Sequence, residues 1–254
     1  AVAHQMREEG IVLCLGCKYE KVEVLDDWVH VTLDSGDVIK ASALLFANGR
    51  QGMADQLGLE VCGLEINSRN QLEVDQNYRT KVPHIYAIGD VIGFPSLVSV
   101  SNEEGRMAAH SAVLGETTRR VGSDIPFGIY TIPEISMIGP TEKELIEQGI
   151  PYEVGLCRFK NLARGLIIGD RKGLVKLLFH RETRQLLAVH MFGQLASELI
   201  HIAQAVIHYN GKIDYFVEQV FNFPTLSSAL KVAARNGVSK LKTGKSSSNY
   251  SQSD

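Results

Sequence analysis

Apolar and polar positions alternate through the first part of the chain in the manner of β-strands. Asp26-Asp27 and Asp34-Ser35-Gly36-Asp37 separate the apolar runs, and such residues are typical of tight turns. The pattern predicts strands over residues 19–25, 28–33, 38–42 and 44–47. The last of these runs is continuously apolar, so we expect it to be buried.

A second apolar stretch, residues 85–88, follows Pro83 and stops abruptly at Gly89-Asp90. It predicts a short buried strand. Beyond it, residues 97–114 have a helical pattern that includes several small side chains, which would allow another backbone to approach closely. We therefore expect a helix that packs against a sheet or a cofactor.

The pattern changes after residues 122–126, where we place a domain boundary, to the mixture of strands and helices that is typical of an α+β unit. Thr141 begins a Thr-x-x-Glu capping box, and Gly149 ends the short helix that follows. Further strands are predicted over residues 152–159, 174–179 and 186–192, and helices over residues 195–209 and 225–236. The polar residues 242–254 have almost nothing to bury, so we expect a disordered tail.

Composition narrows the possible classes of protein. The chain has 254 residues, of which 44% are hydrophobic and 22% charged, as in folded domains. Its net charge of -3 and dispersed basic residues argue against nucleic acid as a partner, and no apolar run is long enough to predict a membrane span. Four unevenly spaced cysteines indicate a reducing compartment, so we expect a cytoplasmic location. Because Ala1 lies within a helical pattern that Gly10 ends, we also expect a preceding segment.

The strongest chemical signal is the Gly89-Asp90 pair. In open α/β sheets, ligands bind at the carboxyl edge of the strands, and a carboxylate there can accept hydrogen bonds from sugar-alcohol hydroxyls. Taken alone, Gly-Asp is also an ordinary turn. Its context strengthens the binding interpretation, because Gly49 ends another apolar run and residues 93–97 lead into a small-residue helix whose N-terminal amides could face a phosphate or flavin.

The order and spacing of these segments resemble the flavoprotein pyridine nucleotide-disulfide oxidoreductases. The matching segments are Ala47-Asn48-Gly49-Arg50 and residues 80–90, 93–97, 128–136, 154–155, 162–164, 178–183 and 221–225. The resemblance covers residues 1 to about 241. It implies an α/β plus α+β fold, made of the C-terminal portions of NAD- and FAD-binding Rossmann-like domains followed by an α+β dimerisation domain. The implied boundaries are residues 1–48 for the NAD(P)-binding part, 49–122 for the FAD-binding part and 123–241 for the dimerisation domain.

The resemblance also implies site residues, cofactors and partners. The cofactors would be FAD and NAD(P), NADH and NADPH would be the substrates, and residues 123–241 would form a homodimer. The implied cofactor-binding residues are Gly49, Gly89, Asp90, Ser96, Leu97, Val98, Phe223 and Pro224. Asp90 would hold the ribityl chain of the flavin, while residues 96–98 would contact the flavin through their backbone. Gly49 would line the cofactor crossing, and Phe223-Pro224 would reach the flavin of the partner subunit.

No catalytic side chain and no metal ligand is predicted. We interpret Cys14-x-x-Cys17 as two ordinary thiols, since the redox pair of the family would lie upstream. His201 and His208 are seven residues apart on one predicted helix but lack a third ligand, so we interpret them as interface or surface side chains.

Two positions favour one reaction within the family. In its disulfide reductases, a His precedes the Pro-Thr pair and a Glu follows three residues after the Thr, and the two transfer protons. This chain has Phe223 and Ser228 there, and neither transfers a proton near neutral pH. Hydride transfer between NADPH and NAD+ through FAD needs no such pair, so we expect a transhydrogenase, although Ser228 also departs from the usual transhydrogenase pattern.

Two alternatives remain open from the sequence. One is a disulfide reductase that resembles lipoamide dehydrogenase. The other is a non-catalytic dimerisation module, because neither Gly-x-Gly-x-x-Gly nucleotide fingerprint of the family occurs in the chain.

Overall fold

The computed structural model describes residues 2–49, 51–116, 121–122 and 124–243. These fall into two compact units, Leu15–Gly122 in one and Ala1–Cys14 with Ser123–Asp254 in the other. Of the sequence predictions, Arg50 and residues 244–254 of the expected disordered tail lie outside the described residues. The first element of the chain is the short helix α1, Val2–Glu8.

The unit of residues 15–122 begins with a three-stranded antiparallel meander in the order β1-β2-β3. Its strands are β1 (Tyr19–Leu25), β2 (Trp28–Leu33) and β3 (Val38–Ala41). These bounds confirm the first three predicted strands to within one residue. Most of the sheet's side chains remain exposed, and Leu33 is its one buried residue.

The prediction of a fourth, buried strand over residues 44–47 is wrong. This segment has no strand pairing, and the side chains of Leu45 and Phe46 are 88% and 66% exposed. A strand needs a neighbour for its N–H and C=O groups. Within the described residues the sheet ends at β3, so an apolar segment without a partner stays extended and exposed.

The predicted strand over residues 85–88 is also wrong. One isolated bridge joins Tyr86 to Arg79, and the Ala87 N–H donates to the Tyr78 carbonyl, but no continuous strand forms. Ala87 is nevertheless buried, in a small apolar cluster with Ala54, Leu64 and Leu72. The apolar pattern therefore identified the burial but not the extent of hydrogen-bonded pairing, which is too short for a strand.

Helix α2, Val98–Leu114, begins one residue later than predicted and ends as predicted. Its buried face consists of Val100, Glu104, Met107, Ala108 and Ser111. Met107 and Ala108 pack with Tyr78, which is 2% exposed. The helix thus lies against the segment that leads to Gly89, as the small residues in its pattern suggested.

The second unit contains a five-stranded antiparallel sheet in the order β4-β5-β8-β7-β6. Its strands are β4 (Phe127–Ile129), β5 (Ile135–Ile138), β6 (Tyr152–Arg158), β7 (Leu174–His180) and β8 (Leu186–Phe192). The three strands predicted in this region, which correspond to β6, β7 and β8, are confirmed to within one residue. Between β5 and β6 lies α3 (Glu142–Glu147), where Thr141 and Glu144 form the expected capping box.

Helices cover this sheet and complete its core. They are α4 (Ala163–Ile168), α5 (Ala196–His208), α6 (Asp214–Glu218) and α7 (Ser228–Thr243). One cluster of buried side chains joins the sheet to α5, α6 and α7, with Phe159, Phe179 and Phe216 as its largest members. The predicted helix over residues 195–209 is confirmed to within one residue at each end.

The last helix differs from its prediction at both ends. It begins at Ser228 rather than at residue 225, and it continues through Gly237 to Thr243, into the first two residues of the expected tail. A Cβ on Gly237 would lie 2.5 Å from Cε1 of Phe179 and 3.1 Å from Cα of Gly155. Gly237 therefore permits close packing of helix on sheet, which sequence analysis mistook for a helix stop. None of the helices in the described ranges is long and apolar enough to cross a membrane.

Candidate functional site

The turn at Gly89-Asp90 is built so that only glycine fits its first position. Gly89 has φ +73°, is buried, and begins a 3-10 helix, Gly89–Ile92. A Cβ there would lie 3.0 Å from Oγ of Ser101, which itself donates a hydrogen bond to the Leu97 carbonyl. Any other residue at 89 would have both a strained backbone and a steric conflict with α2.

Asp90 follows as a partly buried side chain that lines an open pocket of about 460 Å³. The other lining residues are Gln51, Gly52, Met53, Gln71, Val91 and Ser96. The structure therefore brings together two of the predicted site residues, Asp90 and Ser96, in one cavity. The carboxylate of Asp90 supplies acceptors for ligand hydroxyls, and the Ser96 hydroxyl adds a further polar group.

Gly52, which lines this pocket, and Gly93 are both closely packed against residues 70–71. A Cβ on Gly52 would lie 2.2 Å from the Asn70 carbonyl oxygen, and a Cβ on Gly93, which has φ +98°, would lie 3.0 Å from Oε1 of Gln71, a lining residue. A larger side chain at either position would therefore force its neighbours to move. A cradle of this kind, with a carboxylate on its wall, suits a polyhydroxylated ligand that needs close contact with the backbone, such as the ribityl chain of FAD.

The residues predicted to contact the flavin through their backbone, 96–98, lie at the beginning of α2. Ser96 Oγ donates to the Gly93 carbonyl at 3.2 Å, and the Leu97 N–H donates to the Pro95 carbonyl at 3.0 Å. Val98 is 80% exposed, and Leu97 caps the helix without a side-chain hydrogen bond. Because the first N–H groups of a helix have no partner within it, this terminus can donate to an anionic or carbonyl group.

Several residues of the site were not predicted from the sequence. Glu104, on the buried face of α2, is 6% exposed, and its Oε2 accepts a hydrogen bond from the Gly89 N–H at 2.8 Å. A glutamate in a helical pattern normally indicates a solvent-exposed position, so nothing in the sequence pattern indicated that Glu104 is buried. Gln51, Met53 and Gln71 were missed for a related reason, since they lie in irregular chain without periodicity.

Gly49 is placed differently from Asp90 and Ser96. It has φ +89° and is exposed, and it is absent from the residues that line the pocket, although Gln51 is among them. Its predicted place at the cofactor crossing stays a prediction.

Phe223 and Pro224 belong to the unit of residues 123–254. Pro224 lines a second pocket, of about 390 Å³, together with Arg164, Ile168, Gln194, Leu195, Leu199, Thr225, Leu226 and Ser227. Phe223 is 80% exposed. The Ser228 hydroxyl forms a hydrogen bond within its own segment, since its Oγ donates to the Thr225 carbonyl at 2.6 Å.

The cysteines and histidines give no sign of redox or metal chemistry in the described residues. All four cysteines are free thiols, and burial raises the pKa of Cys157 to about 11. His201 Nδ1 lies 2.8 Å from Oε1 of Gln204, and His208 lies 3.8 Å from Asp124. Within the described ranges, no group of three or more His, Cys, Asp or Glu side chains is arranged to hold a metal ion.

Comparison with protein families matches nearly the whole chain. Residues 1–112 match the family described as pyridine nucleotide-disulphide oxidoreductase, and residues 125–234 match the dimerisation domain of the same proteins. Among solved structures, LpdA from Mycobacterium tuberculosis is 26% identical with a TM-score of 0.79, over 92% of this chain and 51% of that one. The HOCl-induced flavoprotein disulfide reductase RclA from Escherichia coli, at 24% identity, has a TM-score of 0.84 over 92% of this chain and 54% of its own, which shows a shared fold.

Curated relatives give a closer match. The soluble pyridine nucleotide transhydrogenases of Salmonella typhimurium and Salmonella typhi are each 49% identical over 244 residues, which is 95% of this chain and 52% of theirs. The chain thus spans about half the length of the curated relatives it matches. Because the two matched family regions together cover most of the chain, this chain belongs to the pyridine nucleotide-disulfide oxidoreductases.

Proposed function

We propose that this chain supplies the ribityl-binding and dimerising parts of an FAD-dependent enzyme that transfers hydride between NADPH and NAD+. The observation that carries the choice of reaction is the pair Phe223 and Ser228, which replaces the His and Glu that disulfide reductases use for proton transfer. The 49% identity to proteins named soluble pyridine nucleotide transhydrogenase supports the same reaction.

The environment of these two residues is consistent with a reaction that moves no proton through them. Phe223 has no ionisable group, and the Ser228 hydroxyl is engaged with the Thr225 carbonyl at 2.6 Å. A serine hydroxyl cannot replace a carboxylate as an acid–base group near neutral pH. Hydride exchange between a nicotinamide and a flavin requires orientation of the two rings rather than an acid–base side chain at these positions.

In this proposal the pocket beside Asp90 holds the flavin ribityl chain. Bound FAD would supply the ring that accepts and returns hydride. Asp90 would accept hydrogen bonds from the ribityl hydroxyls, and Gly89 would let the backbone approach the ligand. The backbone of residues 96–98 would contact the ring at the beginning of α2, and Gly49 would line the cofactor crossing.

We propose the domain division that accompanies this function. Residues 1–48 end the NAD(P)-binding domain, residues 49–122 belong to the FAD-binding domain, and residues 123–241 form the dimerisation domain. The separation of the compact units at residue 123 supports the second boundary. Residues 15–122 form one compact unit that is not divided at residue 48, so the first boundary has only the family resemblance behind it.

A homodimer is part of the proposal, because Phe223 and Pro224 would complete the flavin site of a partner subunit. Exposed apolar side chains on this unit support it: Tyr130 is 80% exposed, Ile132 100%, Val220 96% and Phe223 80%. Large exposed apolar side chains of this kind mark interaction surfaces when they cluster. Four free thiols further support a reducing compartment, and we place the enzyme in the cytoplasm.

The flavin site is tested by Asp90→Ala in the complete reading frame, with Asp34→Ala, in the turn after β2, as the matched control. A hydrogen bond to a charged group contributes about 1.5–3 kcal/mol. We therefore expect the dissociation constant for FAD to be about ten to a hundred times higher in the Asp90 variant. Visible absorbance after dialysis measures the retained flavin. Equal flavin content in both variants would contradict the site.

The reaction is tested by comparing two activities of the same preparation. We expect hydride transfer from NADPH to an NAD+ analogue, and little reduction of lipoamide. Rapid lipoamide turnover would instead identify a disulfide reductase.

A non-catalytic dimerisation module is the second candidate, favoured by the absence of Gly-x-Gly-x-x-Gly from these 254 residues. Purification of the 254-residue chain, followed by its visible absorbance, distinguishes the module from a flavin-binding protein. A yellow product with one flavin per chain contradicts the module, whereas a colourless dimer supports it.

A further inference from the structure

Glu104 is a buried carboxylate whose described partner is a backbone amide rather than a cation. Its side chain is 6% exposed, and its Oε2 lies 2.8 Å from the Gly89 nitrogen that donates to it. Glutamate is rarely buried without a partner, because removing its charge from water is unfavourable. A specific function for this carboxylate at Gly89 would explain its position.

The Gly89 amide needs an acceptor of this kind. Gly89 is the first residue of the 3-10 helix Gly89–Ile92, and the first N–H groups of a helix have no partner within it. The preceding residue, Ile88, is extended and provides no side-chain cap. Without Glu104, the amide at the beginning of this turn would be buried and unpaired, which is unfavourable.

Two positions on α2 lie against the turn. Ser101 lies one turn before Glu104 on the same helical face, and its Oγ would be 3.0 Å from a Cβ at Gly89. The helix therefore limits the position of Gly89 sterically through Ser101, while Glu104 fixes the direction of its N–H.

We propose that Glu104 is a positioning residue for the flavin site, which orients the Gly89-Asp90 turn so that the Asp90 carboxylate faces its pocket. This inference rests on the proposed flavin-binding function. The link is short, because Asp90 directly follows the amide that Glu104 holds, and the same 3-10 turn continues to Gly93, whose N–H donates to the Asp90 carbonyl at 3.2 Å.

The decisive comparison is Glu104→Gln against Glu104→Met. Gln and Met are both unbranched and close to Glu in length, but only Gln retains an oxygen that can accept the Gly89 N–H. Glu103→Ala is the control, since Glu103 is the neighbouring glutamate that pairs with Arg106 on the exposed side of the helix. Because Met is a good helix former and suits a buried position, the Met variant is expected to fold.

The first measurement is hydrogen exchange at the Gly89 amide in the 254-residue chain without flavin. We expect exchange to be about ten to a hundred times faster in Glu104→Met, and close to the original rate in Glu104→Gln and Glu103→Ala. Equal exchange in the Met and Gln variants would overturn the proposed hydrogen bond, whether or not the chain binds FAD.

The second measurement is FAD retention in the complete reading frame. We expect Glu104→Met to weaken it about tenfold and Glu104→Gln to restore it. Faster Gly89 exchange with unchanged FAD affinity would overturn the positioning role while leaving the flavin site intact. If the unsubstituted protein binds no FAD, the proposed function and the positioning role both fail, and the exchange data then report only a structural hydrogen bond.

Discussion

The two units of this chain use similar apolar patterns with opposite results. In the sheet of residues 127–192, Leu177, Phe179 and Val189 are completely buried beneath helices. In the unit of residues 15–122, Val24 is 72% exposed and Leu45 88% exposed. Strand-forming residues thus fold into a core in one region and remain at the surface in the other.

The meander β1–β3 shows which part of folding is local. Its strands are joined by short turns, so their antiparallel pairing requires only neighbours in sequence. Burial requires a second layer on the sheet, and α5, α6 and α7 provide that layer in the other unit. Hydrogen bonding and burial are therefore separable, and the apolar pattern by itself reports only the tendency to be buried.

The largest expected effect comes from making the same substitution in both regions. Phe179→Ala removes a fully buried ring, and we expect it to lower the free energy of unfolding by about 3–5 kcal/mol. Phe46→Ala changes a ring that is 66% exposed and contacts Tyr19 edge to face, so we expect less than about 0.5 kcal/mol. Urea unfolding followed by circular dichroism measures both values. Similar decreases in the free energy of unfolding for the two variants would contradict the difference in burial between the two regions.

A smaller effect depends on pH and belongs to the buried unit alone. Burial, aided by the charge of Lys176, lowers the pKa of His190 to about 4, and its Nε2 has no hydrogen-bond partner in the described residues. As the pH falls, His190 is therefore protonated near pH 6.5 in the unfolded chain but only near pH 4 in the folded chain. Stability from the neutral form is complete above that pH and decreases as the pH falls toward 4, by at most about 3 kcal/mol.

This prediction is measured as the difference between the original protein and His190→Leu. Other groups also titrate in acid; for example, hydrogen bonds with the Thr141 backbone and side chain lower the pKa of Glu144. The difference cancels these contributions. We expect the variant to lose less stability than the original protein between pH 6.5 and 4. Parallel curves for the two proteins would contradict the assignment to His190.

The smallest effect concerns a helix end. Thr141→Ala removes the side chain that accepts from the Glu144 N–H at 3.3 Å, and we expect it to cost about 1 kcal/mol of stability. Thr183→Ala, in the turn between β7 and β8, serves as a control outside any helix. Thermal unfolding of the two variants provides the comparison, and a Thr183 variant that is the less stable would show that the cap is not important here.

Much of the fold was predictable where the structural signal is short-range. The strands Trp28–Leu33 and Leu186–Phe192 have the bounds that their sequence pattern predicts, and the capping box at Thr141 forms as expected. These features depend on alternation, turns and contacts within three or four residues. The wrong predictions, residues 44–47 and 85–88, depended on strand partners that no local pattern specifies.

The candidate site also contains residues that a local pattern identifies and residues that only distant contacts bring into it. Asp90 was identifiable because a carboxylate follows an apolar run and a glycine, and its pocket is present in the structure. Glu104 lies fifteen residues after Gly89 and was not identifiable, because its contact with that glycine exists only after α2 has packed. Gln71 joins the same pocket from another loop, again through a contact between distant positions.

The sequence by itself determined the bounds of strands such as Leu186–Phe192, the position of Asp90 after a glycine, and the replacement of an acid–base pair by Phe223 and Ser228. The tertiary structure decided which apolar segments became buried strands, why α7 continues through Gly237, and which carboxylate supports the turn at Gly89. The physical reason is distance along the chain. Turns, caps and periodicity act between near neighbours, whereas strand pairing, close packing at glycine and buried hydrogen bonds join residues that only folding brings together.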